Sequence, residues 1–423
     1  MPRRNCLRRL RLYLILLVIF VVFTWFIPSI SLKFDGRNED VIGYDKNYLD
    51  NRIYPPPWCM FNWTVGDYFV RKDALKKLED QDAIDKKQKI VLDNGFSNWK
   101  KHNQSDYLIL EYTTVFNQPK FCGKTPTFIF GKHCPYQNCR YTCDRNWSKS
   151  ADVLLMHHHD IHFDQLSIER NPDQIWLFWH DEPGGVIKHA IDYQFNWTIS
   201  YRFNAEASIG AYGITIFRDK PLTTKHFNSY IDEEFKKRQA YAIWFVSNCQ
   251  PRARIDFYLR FRSYYPFTRV YGKCASQNTT SQCSRDSQCE SDELTRNKFY
   301  LAFESQSCRD YITEKFWRSL AFGIIPIVFG PRDKQSLERI APPKSFVFAD
   351  DFLTILDLAE HLTEIDRNRT LFEEYHRWRR LYKILYLPED IEHYRFCELC
   401  YRLNTNHQRV YYRNLNEFFL EDC

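Results

Sequence analysis

The stretch Lys298–Pro331, KFYLAFESQSCRDYITEKFWRSLAFGIIPIVFGP, leaves few folds open to this chain. It reads as a strand, a loop, a helix and a second strand. The two strand segments, Phe299–Phe303 and Ile324–Phe329, are apolar throughout and do not alternate with polar residues. Strands of that kind are buried on both faces, the condition of a parallel sheet covered by helices. Similar short runs predict strands at Thr127–Phe130, Asp152–His157, Gln174–Trp179, Thr198–Tyr201, Ala242–Ser247, Arg269–Tyr271 and Phe346–Phe348. Helices are expected at Arg252–Arg262, Asp310–Ala321, Phe352–Ile365 and Thr370–Leu385. These are too many strands for one compact sheet. The reading is an α/β chain of two Rossmann-like domains, residues 119–222 and 223–385, with a seam near Arg218–Thr224 (RDKPLTT). Residues 386–423 form a C-terminal, disulfide-linked tail. At 423 residues, 44% of them hydrophobic, the chain has apolar mass for such cores and is not a disordered or collagen-like polymer.

In doubly wound sheets ligands bind beyond the carboxyl ends of the strands, beside helix N-termini. Here the strand ends in Glu304-Ser305-Gln306-Ser307, and a helix start near Asp310 places Tyr311, Thr313, Glu314 and Lys315 in its first turns. Backbone N–H groups and the positive helix end favour phosphate, and Lys315 adds a full charge. Glu314 beside an anion makes sense if it accepts hydrogen bonds from a neutral part of the ligand, such as a diol. A phosphate, a cation and a carboxylate at one helix start point to a sugar nucleotide. An Asp-capped helix with surface Glu and Lys fits the same residue types. The run His157-His158-His159-Asp160-x-His162 could suggest zinc. Successive residues of an extended segment point to opposite faces, so these histidines converge poorly on one ion. Asp80-Gln81-Asp82 has the spelling of some metal-holding motifs but sits in the lysine-rich run Arg71–Lys89, which reads as a solvated helical face.

The N-terminus sets the compartment. Leu12–Leu32 is 21 residues without a charge, about 30 Å as a helix, and five arginines precede it. Positive charge stays in the cytosol, so residues 1–11 form a cytosolic tail and residues 12–32 a transmembrane signal-anchor, with the rest outside. Ser29-Ile30-Ser31 offers a weak cleavage site and hence the alternative of a signal peptide. Residues 33–118, with Pro55-Pro56-Pro57, read as a stem and lead-in. Without those five arginines the 59 basic residues nearly balance the 53 acidic ones, so no broad basic footprint for nucleic acid remains. Thirteen of the 14 cysteines lie beyond the anchor. In an oxidising lumen they read as disulfides, with at least one left over; zinc at Cys397-x-x-Cys400 and at the first cluster, Cys122/Cys134/Cys139/Cys143, is the rival. Six sequons, at Asn62, Asn103, Asn146, Asn196, Asn278 and Asn368, fit a glycosylated lumenal part.

FYLAFE, DYITEKFWRSL and GIIPIVFGP together closely resemble the donor-binding signature of the α1,3-fucosyltransferases. Ala151–Ile161 (ADVLLMHHHDI), Trp179–Pro183 (WHDEP), Val246–Arg254 (VSNCQPRAR) and Phe396–Cys400 (FCELC) are similar to further segments of that family, in family order over roughly residues 120–402. The resemblance implies a GT-B-like pair of domains facing across a cleft, in a type II Golgi membrane enzyme that takes GDP-fucose and acts with inversion. It implies Glu182 as the base that deprotonates the acceptor hydroxyl, with Asp181 the adjacent rival, and Arg254 and Lys315 as the cations facing the leaving diphosphate. Tyr311 and Glu314 would contact the nucleotide or fucose. Ser305 stands where the family has a donor-binding asparagine, which bears on this one contact. No metal or other cofactor is required by the scheme; Mn2+ stimulation is compatible with it, though no ligand set stands out. The implied partners are GDP-fucose, glycan acceptors on glycoproteins and the membrane, with no nucleic acid; an oligomer is compatible. By the same resemblance the acceptor is a GlcNAc of an N-glycan core or of a Lewis-type antenna. We expect Cys397 and Cys400 to join the cluster Cys122–Cys143. The competing readings are a catalytically silent glycan-binding membrane protein, motivated by Ser305, and a transferase for a different sugar nucleotide.

Overall fold

The computed structural model describes residues 89–91 and 106–423, apart from 164–165, 167–169, 190–191, 276–282, 332–333, 339, 406–409 and 421–422. The Leu12–Leu32 stretch, Cys59, Asp80-Gln81-Asp82 and the sequons at Asn62, Asn103 and Asn278 lie outside the described residues. No helix among the described residues is long and apolar enough to cross a membrane.

A short strand, β1 (Lys89–Val91), pairs antiparallel with β14 (Val410–Tyr412) near the end of the chain. The first large sheet holds β2 (Tyr107–Glu111), β3 (Cys139–Thr142), β4 (Val153–His157), β5 (Ile175–His180) and β6 (Trp197–Ser200). All its pairings are parallel, in the order β3-β2-β4-β5-β6. After β7 (Ile214–Phe217), the second sheet is built from β8 (Gln239–Phe245), β9 (Thr268–Tyr271), β10 (Asn297–Phe303), β11 (Ile325–Phe329) and β12 (Val347–Phe348). It too is parallel, in the order β12-β11-β10-β8-β9. Numbered within each sheet, both read 2-1-3-4-5. The connections reverse direction between β2 and β4, and again between β8 and β10. A crevice opens at the carboxyl ends of strands flanking such a reversal.

The apolar runs are buried on both faces, as parallel pairing requires. On the first sheet Ile109, Val153, Leu155, Leu177 and Ile199 face one core, while Leu110, Leu154, Met156 and Phe178 face another. The second sheet is sandwiched likewise. Ala242, Trp244, Leu301 and Ile327 face α2 (Thr224–Lys237), α3 (Arg252–Tyr264) and α7 (Ile355–Arg367). Ile243, Tyr300, Ala302 and Val328 face α4 (Gln288–Arg296) and α5 (Glu314–Phe322).

Several expectations need correction. Thr127–Phe130 is not a strand but belongs to a short helix, α1 (Pro126–Phe130). Pro126 stands in its first turn and the Thr125 hydroxyl accepts from the Phe128 N–H, so local capping outweighs the strand-like side chains. Residues 107–111, placed in the lead-in to 118, form a central strand of the first sheet. The helix expected over Thr370–Leu385 is broken. It becomes α8 (Arg369–Glu374), a 3-10 turn (Arg377–Arg380) and β13 (Tyr382–Leu385), which pairs antiparallel with β7. Residues 386–423, expected as a disulfide-linked tail, also build core. In α9 (Pro388–Thr405), Phe396 and Leu399 complete the core of the first lobe, and Leu415, Phe418 and Phe419 of α10 (Leu415–Leu420) cover its opposite face.

Disulfides lock this return. Cys134 bonds Cys397 and Cys139 bonds Cys400, so the C-terminal pair joins the first cluster as expected. The others are Cys122–Cys143, Cys249–Cys274, Cys283–Cys289 and Cys308–Cys423. No CxxC thiolate pair remains at 397 and 400 to hold zinc.

The sequons separate by exposure. Asn146 and Asn368 are on the surface. Asn196 is 2% exposed. Its side-chain oxygen accepts from the Trp176 N–H at 2.8 Å and its NH2 donates to the Val410 carbonyl at 2.7 Å. A glycan on that nitrogen is incompatible with this packing, which corrects the expectation for Asn196. Glycopeptide mapping of protein from a secretory host should find Asn196 bare, and a glycan there would contradict the fold.

Candidate active site

The reversal in the second sheet falls beside the motif. β10 ends at Phe303, and the next residue, Glu304, turns inward with 4% exposure. Its carboxylate accepts from the Thr313 N–H at 2.8 Å, from the Thr313 hydroxyl at 2.9 Å and from Lys315 Nζ at 3.1 Å. Burial pushes the Glu304 pKa up, opposed by the charge on Lys315. For Lys315, burial favours the neutral amine, but Glu304 and Glu314 outweigh it and raise its pKa, so it is a firm cation. Glu314 lies 3.5 Å from Lys315 and 3.5 Å from Arg285. Burial would raise the Glu314 pKa, yet these cations and Arg318 hold it below the ordinary value.

The helix starts later than the sequence suggested. α5 begins at Glu314 with Thr313 as its N-cap. Asp310 has φ of 63° and is no cap. Its carboxylate accepts from the Phe203 N–H at 3.1 Å and from the Ser336 hydroxyl at 2.8 Å, tying the loop to the first lobe. Tyr311 therefore stands on the loop and not on the helix. Sequence reasoning missed Glu304. A strand-terminal acid looks like any loop acid, and the signal available was its place directly after an all-apolar strand.

Arg254, from α3, is 3% exposed and reaches the same reversal. It donates to the Phe303 carbonyl at 3.2 Å and to the Asn248 carbonyl at 2.5 Å, pinning the ends of β10 and β8. Its Nε is buried without a protein partner. Burial lowers its pKa, opposed first by Glu304. Ser305 is half-buried, and it opposes the rise that burial imposes on the Tyr311 pKa.

The first lobe supplies the opposite wall. Tyr311 donates its hydroxyl to Glu182 Oε2 at 3.2 Å, so the loop after β5 meets the loop after β10. Tyr311 is held between Tyr201 and Tyr212, at ring-centroid distances of 5.1 and 6.2 Å. Desolvation by the cleft walls raises the Glu182 pKa, the Tyr311 hydrogen bond opposes it, and Glu314 adds to it. Asp181 has a different post. Its Oδ2 accepts from Trp179 Nε1 at 2.6 Å and from Arg395 at 2.7 Å, which leaves Glu182 as the carboxylate open to the cleft. Gly184, two residues on, has φ of 78°, a conformation glycine adopts without steric cost. Gly213 lets the lobes touch: a Cβ there would lie 2.1 Å from the Trp317 ring of α5.

The histidine run lies at the end of β4. His157 Nδ1 is 2.6 Å from Asp160 Oδ2, and Asp160 also accepts from the Phe116 N–H at 2.8 Å. Burial and neighbouring histidines lower His158 to about 4 and His180 to about 2, so both are neutral at physiological pH. His157 ends the strand and is buried, whereas residues 158–160 form a turn that leaves His159 exposed, so the run is not the extended segment expected. Among the described residues one trio is close enough for a metal, Glu111 with Cys122 and Cys143. It does not fit an ion, because the two sulfurs are joined and Glu111 already accepts from the Lys120 N–H and the Tyr141 hydroxyl.

Comparison with known proteins gives the chain's family. Residues 104–213 match the model described as fucosyltransferase, N-terminal, and residues 235–418 the model of the glycosyltransferase family 10 (fucosyltransferase) C-terminal part. Alpha-(1,3)-fucosyltransferase C of Drosophila melanogaster is 26% identical over 372 residues, 81% of this chain and 84% of that protein. Alpha-(1,3)-fucosyltransferase 7 of Bos taurus is 30% identical over 291 residues, 66% of this chain and 78% of that protein. A solved structure of an alpha1,3-fucosyltransferase with GDP is 16% identical, with a TM-score of 0.43, covering 73% of this chain and 92% of that one.

Proposed function

Because the chain belongs to the α1,3-fucosyltransferase family, we propose that it moves L-fucose from GDP-fucose to O3 of a GlcNAc on a glycoprotein glycan, with inversion, in a GT-B-like cleft between its two lobes. The observation that carries this reading is the 3.2 Å contact between Tyr311 and Glu182, which brings the donor motif and a carboxylate to one point.

In this account the acceptor hydroxyl attacks C1 of the fucose. The bond from C1 to the β-phosphate oxygen breaks, and GDP leaves with the electron pair. Glu182 takes the hydroxyl proton as the new bond forms. Its raised pKa makes it a better base than an ordinary glutamate. The leaving diphosphate gains charge, which fixed cations stabilise without reorganising. Lys315 and the unpartnered Nε of Arg254 are those donors. Glu304 already holds the Thr313 N–H, so its work is to orient Lys315 and fix the start of α5, while Glu314 serves neutral hydroxyls of the donor. No metal step is needed. We place the enzyme in the Golgi membrane, anchored by Leu12–Leu32, with its cleft lumenal.

The test is an assay of the purified part after residue 32 with GDP-fucose, GDP-mannose and UDP-sugars against N-glycan and lactosamine acceptors. Fucosylated product from GDP-fucose alone is expected. Folded protein that binds GDP but gives no product with any acceptor would favour a silent glycan-binding protein. The pH profile adds a prediction. Glu182 must be deprotonated to act, so the acid limb of kcat/KM should lie above the ordinary glutamate value of 4.5. The Tyr311 hydrogen bond stabilises the carboxylate. Tyr311→Phe should therefore move that limb to higher pH, and a limb that moves down or stays fixed contradicts the assignment.

A further inference from the structure

We propose that Arg395 and Asp181 form a latch by which the C-terminal helix α9 positions Glu182. The inference rests on Glu182 being the base. Asp181 is held from three sides. Its carboxylate accepts from Trp179 Nε1 at 2.6 Å and from Arg395 at 2.7 Å, and its carbonyl accepts from the Tyr212 hydroxyl at 2.7 Å. Glu182 is the next residue, so fixing Asp181 through both side chain and backbone fixes where the Glu182 side chain originates.

Arg395 is suited to this by its own confinement. It is 4% exposed, and Asp181 is its ion-pair partner among the described residues. Its guanidinium lies 5.8 Å from the centre of the Trp179 ring. The helix that carries it cannot slide. Phe396 packs edge-on against Phe121 and Trp179, and Cys397 and Cys400 are bonded to Cys134 and Cys139. A rigid element from the far end of the chain thus grips the residue beside the base. Near-attack geometry is sensitive to displacements of about 1 Å, which can cost about 100-fold in rate. Arg395 touches neither substrate nor the transferred proton, so it is a positioning residue.

Deleting one partner of a buried ion pair destabilises any protein, so the test removes both charges. Asp181→Asn/Arg395→Met keeps an acceptor for Trp179 and leaves no buried charge. With GDP-fucose and the best acceptor of the panel, kcat should fall at least about 10-fold, while the KM for GDP-fucose and the Tm stay near the parent's. Only Nη1 of Arg395 meets Asp181, so Arg395→Lys, which keeps the charge but replaces that fixed donor by a shorter, more mobile ammonium, should show a smaller loss of kcat, again at constant KM and Tm. Glu182→Gln is measured beside them. Parental kcat in either latch variant, with Glu182→Gln inactive, overturns the latch alone, as does a fall of kcat that merely tracks a loss of Tm. Parental turnover in Glu182→Gln overturns the base assignment, and the latch with it.

Discussion

Glu182→Gln should abolish turnover while leaving GDP affinity unchanged. The amide keeps the size of the side chain and can still meet the Tyr311 hydroxyl at the 3.2 Å position. It cannot accept the acceptor's proton. General-base assistance contributes about 100- to 10,000-fold, and a loss within that range in kcat is expected. In the proposed scheme GDP meets the second lobe, whose Lys315 and Arg254 the change does not touch, so calorimetric titration should return the parental Kd. Near-parental kcat would move the base role elsewhere. Asp181 is a poor substitute, since its Oδ2 already accepts from Trp179 and Arg395 and its Oδ1 is buried.

The second large effect is expected at Glu304. Its removal leaves Lys315, whose side chain is 17% exposed, without its buried partner, and leaves the Thr313 N–H unpaired. Breaking a buried pair from one side costs about 3–5 kcal/mol. Glu304→Ala should therefore lower Tm by roughly 10 °C. GDP binding should be lost as well, because the Lys315 ammonium and the start of α5 are no longer fixed. Glu304→Leu/Lys315→Met should recover much of the Tm but none of the GDP affinity. Parental GDP affinity in Glu304→Ala would show that the carboxylate does not organise the donor side.

The parts legible in the sequence were those whose signal is local. All-apolar strands at 299–303 and 324–329 announced a parallel sheet, and both are there. The motif residues Ser305, Tyr311, Glu314 and Lys315 do cluster between β10 and α5, and Glu182 does face them. What escaped depends on distant partners. β13 looks helical on its own residues and becomes a strand only because β7, some 165 residues earlier, pairs with it. β2 was hidden because its run is short and ends in the buried Glu111. Asn196 reads as a sequon, and nothing in three letters says that its amide is bound to Trp176 and Val410. The start of α5 was displaced because Asp310 resembles a cap, whereas a left-handed turn there delays the helix to Thr313.

The decisive measurement is single-turnover reaction of the purified part after residue 32 with labelled GDP-fucose, with the product's linkage read by NMR. We expect one α-linked fucose on O3 of a GlcNAc, released GDP in equal amount, and no transfer by Glu182→Gln. Retention of the donor's anomeric configuration, or transfer that proceeds unchanged without Glu182, would contradict this mechanism.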